Sequence, residues 1–488
     1  MSVLWIFLLP LIGAAIAPWI GRAARTAAMA VLAVDALLLV QLWRQADVSA
    51  ASPWIATWSA DWVPQLGIRF AFGLDGFALA LSLMACVVAF ATLAATPGRG
   101  HEDGAFCAWF LTGVAGVLGV FLATDLALFF VCFEVMLLPV VALIVRWGQG
   151  DTRRVALRFF VFTQTGGLLM LVSIVGLHVV HHAATGVRTF DYTALLATPL
   201  DDGLARLFLI GFLAAFAVKL PIVPFHTWQA PAYAAAPTEG AVLLAALMAK
   251  TAGYGLLRFA LPLFPTAAVE LAPWMMALGV LTILYAAWLA YGQQDLVRVI
   301  AYSSASHLGY VVLGAFAMNE LGRTGAVVQM ISHGLSVTGL FLVYAHVART
   351  AGARELRDLG GLWKTAPALG MIGVAFAFAT LGLPGLGNFV GEFMTLAGAF
   401  QRFPLAAALG AIGAVLSAAY ALRMFQLTFF GPPHASRRAA ALPVGSLVVC
   451  AGLLVGLVWT GFHPQSIVTL IAPSPSAALE QTAQGVQP

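Results

Sequence analysis

Six ionisable side chains interrupt stretches of the sequence that are otherwise strongly apolar: Glu134, Lys219, Lys250, His307, His333 and Glu392. An ionisable group at the depth of a bilayer is costly unless a partner or water compensates it, so such residues mark ion paths by default. A single histidine of this kind could equally be an interhelical hydrogen-bonding group. Six groups that combine acid, amine and imidazole over six apolar segments favour a pathway for protons.

The composition indicates that these segments cross a membrane. The chain has 488 residues, of which 61% are hydrophobic and only 9% are charged, whereas soluble domains carry about 25% charged residues. No polar linker divides the chain, so residues 1–488 are predicted to form a single membrane domain. The net charge of +4 is explained by basic loops, and gives no reason to expect nucleic acid as a partner.

The lengths of the apolar runs predict an all-α, polytopic fold with about 14 transmembrane helices, because one crossing needs about 20 apolar residues. The runs are 3–20, 26–43, 74–95, 105–123, 125–145, 157–180, 203–222, 240–262, 274–291, 297–317, 324–347, 366–400, 403–429 and 443–462. The twelfth run is too long for a single pass. The first run lacks the basic residues that precede a signal peptide, and is predicted to be a retained helix.

The distribution of arginine and lysine predicts the orientation of the chain. Alternate loops carry most of these residues, including Arg146, Arg153, Arg154, Arg158, Arg349, Arg354, Arg357 and Lys364. The positive-inside rule places these loops in the cytoplasm and therefore both termini on the outer side. A multi-pass protein of the bacterial inner membrane is the expectation, with both termini in the periplasm.

Two of the predicted spans contain helix breakers next to an ionisable residue. In "AFAVKLPIVPFHTW", Pro221 and Pro224 break the seventh span just after Lys219, and "LGLPGLGN" breaks the twelfth span just before Glu392. Broken helices are tolerated at membrane depth where they are buried or line a watered cavity. Two breaks five spans apart suggest an internal repeat, with residues 105–262 as the first unit and 274–429 as the second. An odd number of spans in each unit makes the second unit inverted.

The sequence contains no motif for a cofactor or a metal. Its four cysteines stand in apolar segments without CxxC or CxxH spacing, which is typical of packed thiols. No GxGxxG, Walker or haem motif is present. We therefore expect no catalytic residue, no cofactor site and no metal site on this chain.

Seven motifs, in order along the chain, carry a resemblance to a known family: "FFVCFEVMLLPV", "FAVKLPIVPFHTW", "AKTAGYGLLRFALPLFP", "DLVRVIAYSSASHLGY", "QMISHGLSVTGLF", "LRDLGGLW" and "ATLGLPGLGNFVGEF". From Gly67 to Phe430 the chain resembles the M-type antiporter-like membrane subunits of bacterial respiratory complex I. The resemblance implies that Glu134, Lys219, Lys250 and Glu392 are the family's proton-channel residues. His307 and His333 match its polar axis.

The resemblance also implies a function and a set of partners. Such a subunit couples NADH oxidation and quinone reduction in other subunits to proton pumping, with Glu134 and Lys219 forming an intramembrane ion pair. FMN, iron–sulfur clusters and quinone are expected on partner subunits. The expected partners of this chain are the L-type and N-type antiporter-like neighbours, the lipid bilayer, protons and internal water.

One segment departs from the family pattern. The family's Trp-Leu-Pro-Asp-Ala-His after the first helix break reads here as "WQAPAY" from Trp228 to Tyr233, so an aspartate and a histidine are replaced. Glu239 stands where a small residue is usual. Two alternatives stay open from the sequence: an Mrp-type cation/proton antiporter or related hydrogenase or carbon-uptake membrane subunit, and a scaffold subunit that does not pump.

Overall fold

The computed structural model describes residues 2–45, 54–432 and 439–471, and most of them are helical. The first ten helices are α1 (Ser2–Ile20), α2 (Ala24–Gln45), α3 (Gly76–Ala95), α4 (Asp103–Leu122), α5 (Leu126–Val135), α6 (Leu137–Trp147), α7 (Thr152–Thr185), α8 (Tyr192–Leu195), α9 (Asp202–Lys219) and α10 (Gln229–Ala235). The remaining helices are α11 (Thr238–Leu263), α12 (Pro265–Gly292), α13 (Leu296–Phe316), α14 (Glu320–Ala351), α15 (Pro367–Thr380), α16 (Gly387–Phe400), α17 (Pro404–Phe429), α18 (Val444–Phe462) and α19 (Gln465–Ile471).

The helices confirm a polytopic membrane architecture. Among the described residues, 11 helical stretches are long and apolar enough to cross a membrane, judged by length and composition. The predicted number of crossings and the inverted relation of 105–262 to 274–429 stay predictions. The side of the membrane on which the termini lie also stays a prediction, since the length and composition of the helices do not distinguish the two sides.

A β-hairpin between α2 and α3 is absent from the sequence-based prediction, which had only helices. Strand β1 (Ala56–Val63) pairs antiparallel with β2 (Ile68–Leu74). Gly67 turns the chain between them with a φ of +72°, and a Cβ there would lie 2.1 Å from the carbonyl oxygen of Arg188. Residues along β1 alternate only between half-buried and exposed, so the run is too polar to stand out beside the long apolar segments.

Both predicted helix breaks are confirmed. Helix α9 ends at Lys219, and the chain is not helical again until α10 begins at Gln229. Helix α15 ends at Thr380 and α16 begins at Gly387. Gly382 and Gly385, between α15 and α16, have φ values of +75° and +95°, a conformation that glycine adopts without steric cost.

Helices α14 and α16 approach one another through glycines. A Cβ on Gly391 would lie 2.6 Å from the backbone nitrogen of Gln329, and one on Gly398 would lie 2.4 Å from the backbone nitrogen of Gly322. Such distances are too short for a larger residue unless the backbone moves. This close approach brings the side chain of Glu392, on α16, into contact with the polar residues of α13 and α14.

Helix α11, which carries Lys250, is irregular on both sides of that residue. π-helical turns cover Leu243–Met248 and Leu256–Ala260, with a normal α-helical turn between them. Single π-helical turns are rare and occur frequently at functional sites. Within the second π-helical turn, the Arg258 guanidinium pairs with the buried carboxylate of Asp75 at the start of α3, which anchors this end of α11.

Candidate functional site

Four of the six predicted residues form one continuous chain of buried side chains across four helices. The Lys250 amine lies 2.6 Å from Nδ1 of His333, and the rings of His333 and His307 have centroids 5.6 Å apart. Nδ1 of His307 lies 2.7 Å from Oε1 of Glu392. All four residues are buried. The structure therefore joins an amine, two imidazoles and a carboxylate that lie far apart in the sequence.

Both ring nitrogens of His307 have hydrogen-bond partners, so the tautomer of the ring decides which partner donates and which accepts. Nε2 lies 3.0 Å from the Tyr420 hydroxyl, while Nδ1 faces Glu392. The Gln329 amide donates a second hydrogen bond of 3.2 Å to the same Glu392 oxygen. A neutral imidazole has one donor and one acceptor nitrogen. If Nδ1 carries the proton, His307 donates to Glu392 and accepts from Tyr420.

Lys250 is held on its other side by its own helix. Its amine donates a hydrogen bond of 2.7 Å to the carbonyl oxygen of Ala245, inside the first π-helical turn. A π-helical turn shifts the main-chain hydrogen bonds by one residue, and thereby frees carbonyl groups for other donors. The local irregularity of α11 therefore gives the amine a second partner at membrane depth, where an unpartnered ammonium is costly.

Glu134 and Lys219 are neighbours, but they do not form the predicted ion pair in this conformation. The Lys219 amine donates to the Phe133 carbonyl oxygen at 2.6 Å and lies 3.2 Å from the centroid of the Phe133 ring. Lys219 and Gln164 are the polar neighbours of the Glu134 carboxylate. Neither of its oxygens makes a hydrogen bond among the described residues. The Lys219 amine therefore contacts the carbonyl and ring of Phe133, whereas the sequence analysis predicted that it would contact Glu134.

Gly167 on α7 leaves the space that the Glu134 carboxylate occupies. A Cβ at Gly167 would lie 2.1 Å from Oε1 of Glu134. Glu134 itself stands in the last turn of α5, two residues before Met136, which separates α5 from α6. Pro139, in the first turn of α6, has no amide hydrogen to donate to the Val135 carbonyl, which explains the discontinuity.

The structure thus divides the six residues into two groups. Glu134 and Lys219 lie together between α5 and α9, while Lys250, His333, His307 and Glu392 form the connected chain. No direct hydrogen bond links the two groups within the described ranges. Two residues that bond to the connected chain were missed from the sequence: Gln329 and Tyr420. Gln329 could have been found, since an amide inside an apolar run is as conspicuous as a histidine, but a tyrosine in a membrane span carries no such signal.

Two histidines near the end of α7 have partners of their own. His178 contacts the Thr189 carbonyl oxygen and stacks on Phe190, and His181 contacts the Thr198 hydroxyl. The structure, over the residues it describes, brings together no group of three or more histidine, cysteine, aspartate or glutamate residues that could hold a metal ion. The four cysteines are free and buried.

A bundle with two broken helices and a buried line of amine, imidazole and carboxylate groups defines an antiporter-like membrane protein. The family described as NADH:quinone oxidoreductase/Mrp antiporter, transmembrane, matches residues 123–417. NADH-quinone oxidoreductase subunit M from Escherichia coli K12 is 40% identical over 482 residues, which cover 95% of each chain. The chain therefore belongs to the subunit M family of NADH-quinone oxidoreductase.

Solved structures agree with this assignment. A chain of respiratory complex I from Thermus thermophilus with bound NADH is similar with a TM-score of 0.88 and 28% identity, over 99% of this chain and 100% of that one. A chain of the Mrp complex from Dietzia sp. DQ12-45-1b has a TM-score of 0.84 and 23% identity, over 99% of this chain and 55% of that one. The second likeness concerns the fold alone, and the subunit M relatives favour the complex I reading over the Mrp alternative.

Proposed function

We propose that this chain translocates protons through the connected residues Lys250, His333, His307 and Glu392, with Glu134 and Lys219 controlling access to them. The observation that supports this most is the succession of buried contacts from the Lys250 amine to the Glu392 carboxylate. Each of these groups can bind and release a proton, and groups within hydrogen-bond distance can exchange one. A set of merely structural polar residues would not need to be titratable at every position.

The geometry gives each residue a role. The Lys250 ammonium can pass a proton to Nδ1 of His333, which lies within hydrogen-bond distance. No direct hydrogen bond joins the two imidazole rings, so transfer from His333 to His307 requires a small ring movement or a bridging water. His307 then gives a proton to Glu392 and regains one, with Tyr420 holding its ring in position. Gln329 donates to Glu392 and stabilises its charged form.

The setting follows from the relatives. We infer a multi-pass subunit in the bacterial inner membrane, with the basic loops in the cytoplasm and L-type and N-type antiporter-like subunits as neighbours. FMN, iron–sulfur clusters and quinone would be held by other subunits, whose oxidation of NADH and reduction of quinone supply the energy. Displacement of the Lys219 amine from Phe133 towards Glu134 is the local change that this energy would drive.

The test is the removal or replacement of the Lys250 amine in the assembled complex. Lys250→Met removes the titratable group at similar volume, whereas Lys250→Arg keeps the charge but cannot release its proton. We expect both variants to lose pumping by roughly tenfold or more in sealed vesicles, since a positioned proton-transfer group contributes about 10²–10⁴-fold.

The matched control is Thr251→Val. The Thr251 hydroxyl donates to the Met248 carbonyl oxygen of its own helix and lies 3.8 Å from the sulfur of Met136. Neither partner carries a proton, so this variant should pump normally. If Lys250→Met pumps at the parental rate at equal assembly, the proposed path is wrong and the scaffold alternative is favoured. A requirement for sodium ions in the pumping assay would favour the Mrp-type alternative.

A further inference from the structure

Three buried polar side chains converge at the inner face of the short helix α10: Gln229, Tyr233 and Ser304. Their exposed fractions are 0%, 1% and 0% respectively. The Tyr233 hydroxyl lies beside both the Gln229 amide and the Ser304 hydroxyl. However, neither hydroxyl and neither atom of the amide makes a direct hydrogen bond of normal geometry among the described residues.

Such a group of side chains needs partners. More than nine-tenths of buried polar groups in proteins are hydrogen-bonded, either to protein atoms or to ordered water. Two hydroxyls and an amide that face one another supply the two to four polar contacts that a buried water requires. The cluster of Gln229, Tyr233 and Ser304 is thus built to hold water.

The cluster lies next to both groups of the candidate site. Ser304 precedes His307 by three positions on α13, so the two side chains share one face of that helix. Trp228 connects the cluster to the other group: its ring packs against Tyr233, with centroids 6.4 Å apart, and its indole nitrogen donates to the carbonyl oxygen of Val218 at 3.0 Å. Val218 immediately precedes Lys219.

The opposite face of α10 lines a polar cavity of about 870 Å³. Its walls come from α10 and from loops at the end of the bundle that carries the basic residues, with Asp151, Asp295, Arg298 and Arg354 among them. Arg354 pairs with Asp295 at 2.9 Å and donates to the Ala234 carbonyl oxygen at 3.0 Å. The cavity and the buried cluster are therefore separated by a single helix of seven residues, which Arg354 holds in place.

We infer that Gln229, Tyr233 and Ser304 form a hydrated proton-transfer site between this cavity and the connected chain of Lys250, His333, His307 and Glu392. The inference rests on the proposed function and names the route by which protons reach it. A proton arrives on one side of the bound water or of a hydroxyl while another proton leaves from the opposite side, so each group ends unchanged. No oxidant, reductant or net charge on the three side chains is required.

The chemistry of this site differs from that of a titrating residue. Tyrosine, serine and glutamine stay neutral over the physiological range, since the ordinary pKa of tyrosine is about 10. The rate of transfer through the site then follows the proton concentration in the cavity rather than the ionisation of a side chain. In this chain, the departure from the family pattern between Trp228 and Tyr233 places Tyr233 where the family has a histidine, Gln229 where it has a leucine, and Pro231 where it has the aspartate.

The experiment removes the hydroxyls without changing the shape of the site. The double variant Tyr233→Phe with Ser304→Ala is compared with the parent complex in sealed vesicles, and proton pumping is measured over a range of external pH. We expect pumping to fall several-fold, and the loss to deepen as the pH rises, because fewer protons are then present at the cavity. A purely structural role for the two hydroxyls would lower the rate by the same factor at every pH.

The chain offers matched controls. Tyr344 and Ser82 are also buried, with hydroxyls that make no hydrogen bond among the described residues, and neither hydroxyl is among the polar groups beside Tyr233. Tyr344→Phe and Ser82→Ala should leave both the rate and its pH profile unchanged. If the double variant fails to assemble, Tyr233→Phe and Ser304→Ala are measured singly, each with a smaller shift of the same kind expected.

The outcomes separate this inference from the proposed function. Parental pumping and a parental pH profile in the cluster variants, while Lys250→Met is inactive, overturn the transfer site and leave the proposed function standing. Parental pumping in Lys250→Met as well overturns both. The same loss in Tyr344→Phe as in Tyr233→Phe would show that any buried hydroxyl matters to stability, and would also overturn the transfer site.

Discussion

At the level of single side chains, the Lys219 amine has two competing partners. It is bound to the carbonyl oxygen and ring of Phe133, although the neighbouring Glu134 carboxylate has no hydrogen bond of its own among the described residues. A carboxylate next to an ammonium stabilises its charged form, and burial opposes it. A move of the amine from Phe133 towards Glu134 would therefore change its proton affinity.

A double-mutant cycle tests whether Glu134 and Lys219 act as a unit. Glu134→Gln and Lys219→Ala should each reduce pumping strongly, and the double variant should be no worse than the more severe single variant. Residues that work through one another are non-additive, whereas independent residues give losses that multiply. The pumping rates of the parent, the two single variants and the double variant are compared at matched levels of assembly. A double variant with the product of the two single losses would contradict the pairing.

The residue types of the candidate site were predictable, but their contacts were not. An ionisable group in an apolar run is visible in one dimension, so Glu134, Lys219, Lys250, His307, His333 and Glu392 could be chosen from the sequence. The bond between Lys250 and His333 joins residues 83 positions apart, and depends on how two helices pack. Whether the Lys219 amine contacts Phe133 or Glu134 likewise depends on a displacement of a few ångströms, which a sequence pattern does not encode.

At the level of helices, the sequence predicted positions well and internal irregularities poorly. The run 203–222 corresponds to α9, and the run 366–400 corresponds to α15 and α16 with their break. Hydrophobic length sets these bounds, and proline and glycine set the breaks. The π-helical turns around Lys250 depend on the register of main-chain hydrogen bonds in α11, for which no side-chain pattern exists.

The start of α11 is held by a buried ion pair that explains an unusual residue. Arg99 makes two hydrogen bonds of 2.8 Å to the Glu239 carboxylate, which also accepts from the Thr96 hydroxyl. Arg25 lies 3.9 Å from the same carboxylate. Glu239 stands where the family has a small residue, and it ties α11 to the ends of α2, α3 and α4.

Glu239→Ala should destabilise the protein. Removing one partner of a buried pair leaves an uncompensated charge and costs about 3–5 kcal/mol, and we expect roughly the lower end because the Arg99 side chain is 21% exposed. The matched control is Glu355→Ala, which breaks an exposed pair with Arg357 and should cost less than about 1 kcal/mol. The midpoints of thermal unfolding of the two purified complexes provide the comparison. Equal shifts would mean that the Glu239 cluster contributes no more than a surface pair.

At the level of the whole molecule, the connected chain crosses from one predicted repeat into the other. Lys250 lies in 105–262, whereas His333, His307 and Glu392 lie in 274–429, and the contacts among them bridge the two units. A proton that moves along this line changes the charge at the junction of the two units. Linkage between two sites is reciprocal. If a change elsewhere in the complex alters the proton affinity of these residues, then binding a proton to these residues must favour or oppose that change.

This reciprocity predicts the behaviour of Glu392→Gln in the assembled complex. The amide keeps the shape of the carboxylate and can still contact His307, but it cannot carry a proton, so pumping should fall by roughly tenfold or more. Quinone reduction should fall in proportion, and an ionophore that collapses the proton gradient should not restore it, since the block lies inside the path and is not caused by back-pressure.

The matched control for this prediction is Glu270→Gln, which alters a partly exposed carboxylate that lies 3.5 Å from Arg206. That variant should pump like the parent, and its quinone reduction should accelerate with the ionophore as the parent's does. Rapid quinone reduction by Glu392→Gln without pumping would mean that electron transfer proceeds without proton transit through this chain. In that case the linkage between the quinone site and the Lys250–Glu392 path would be absent, although the path of the parent protein carries protons.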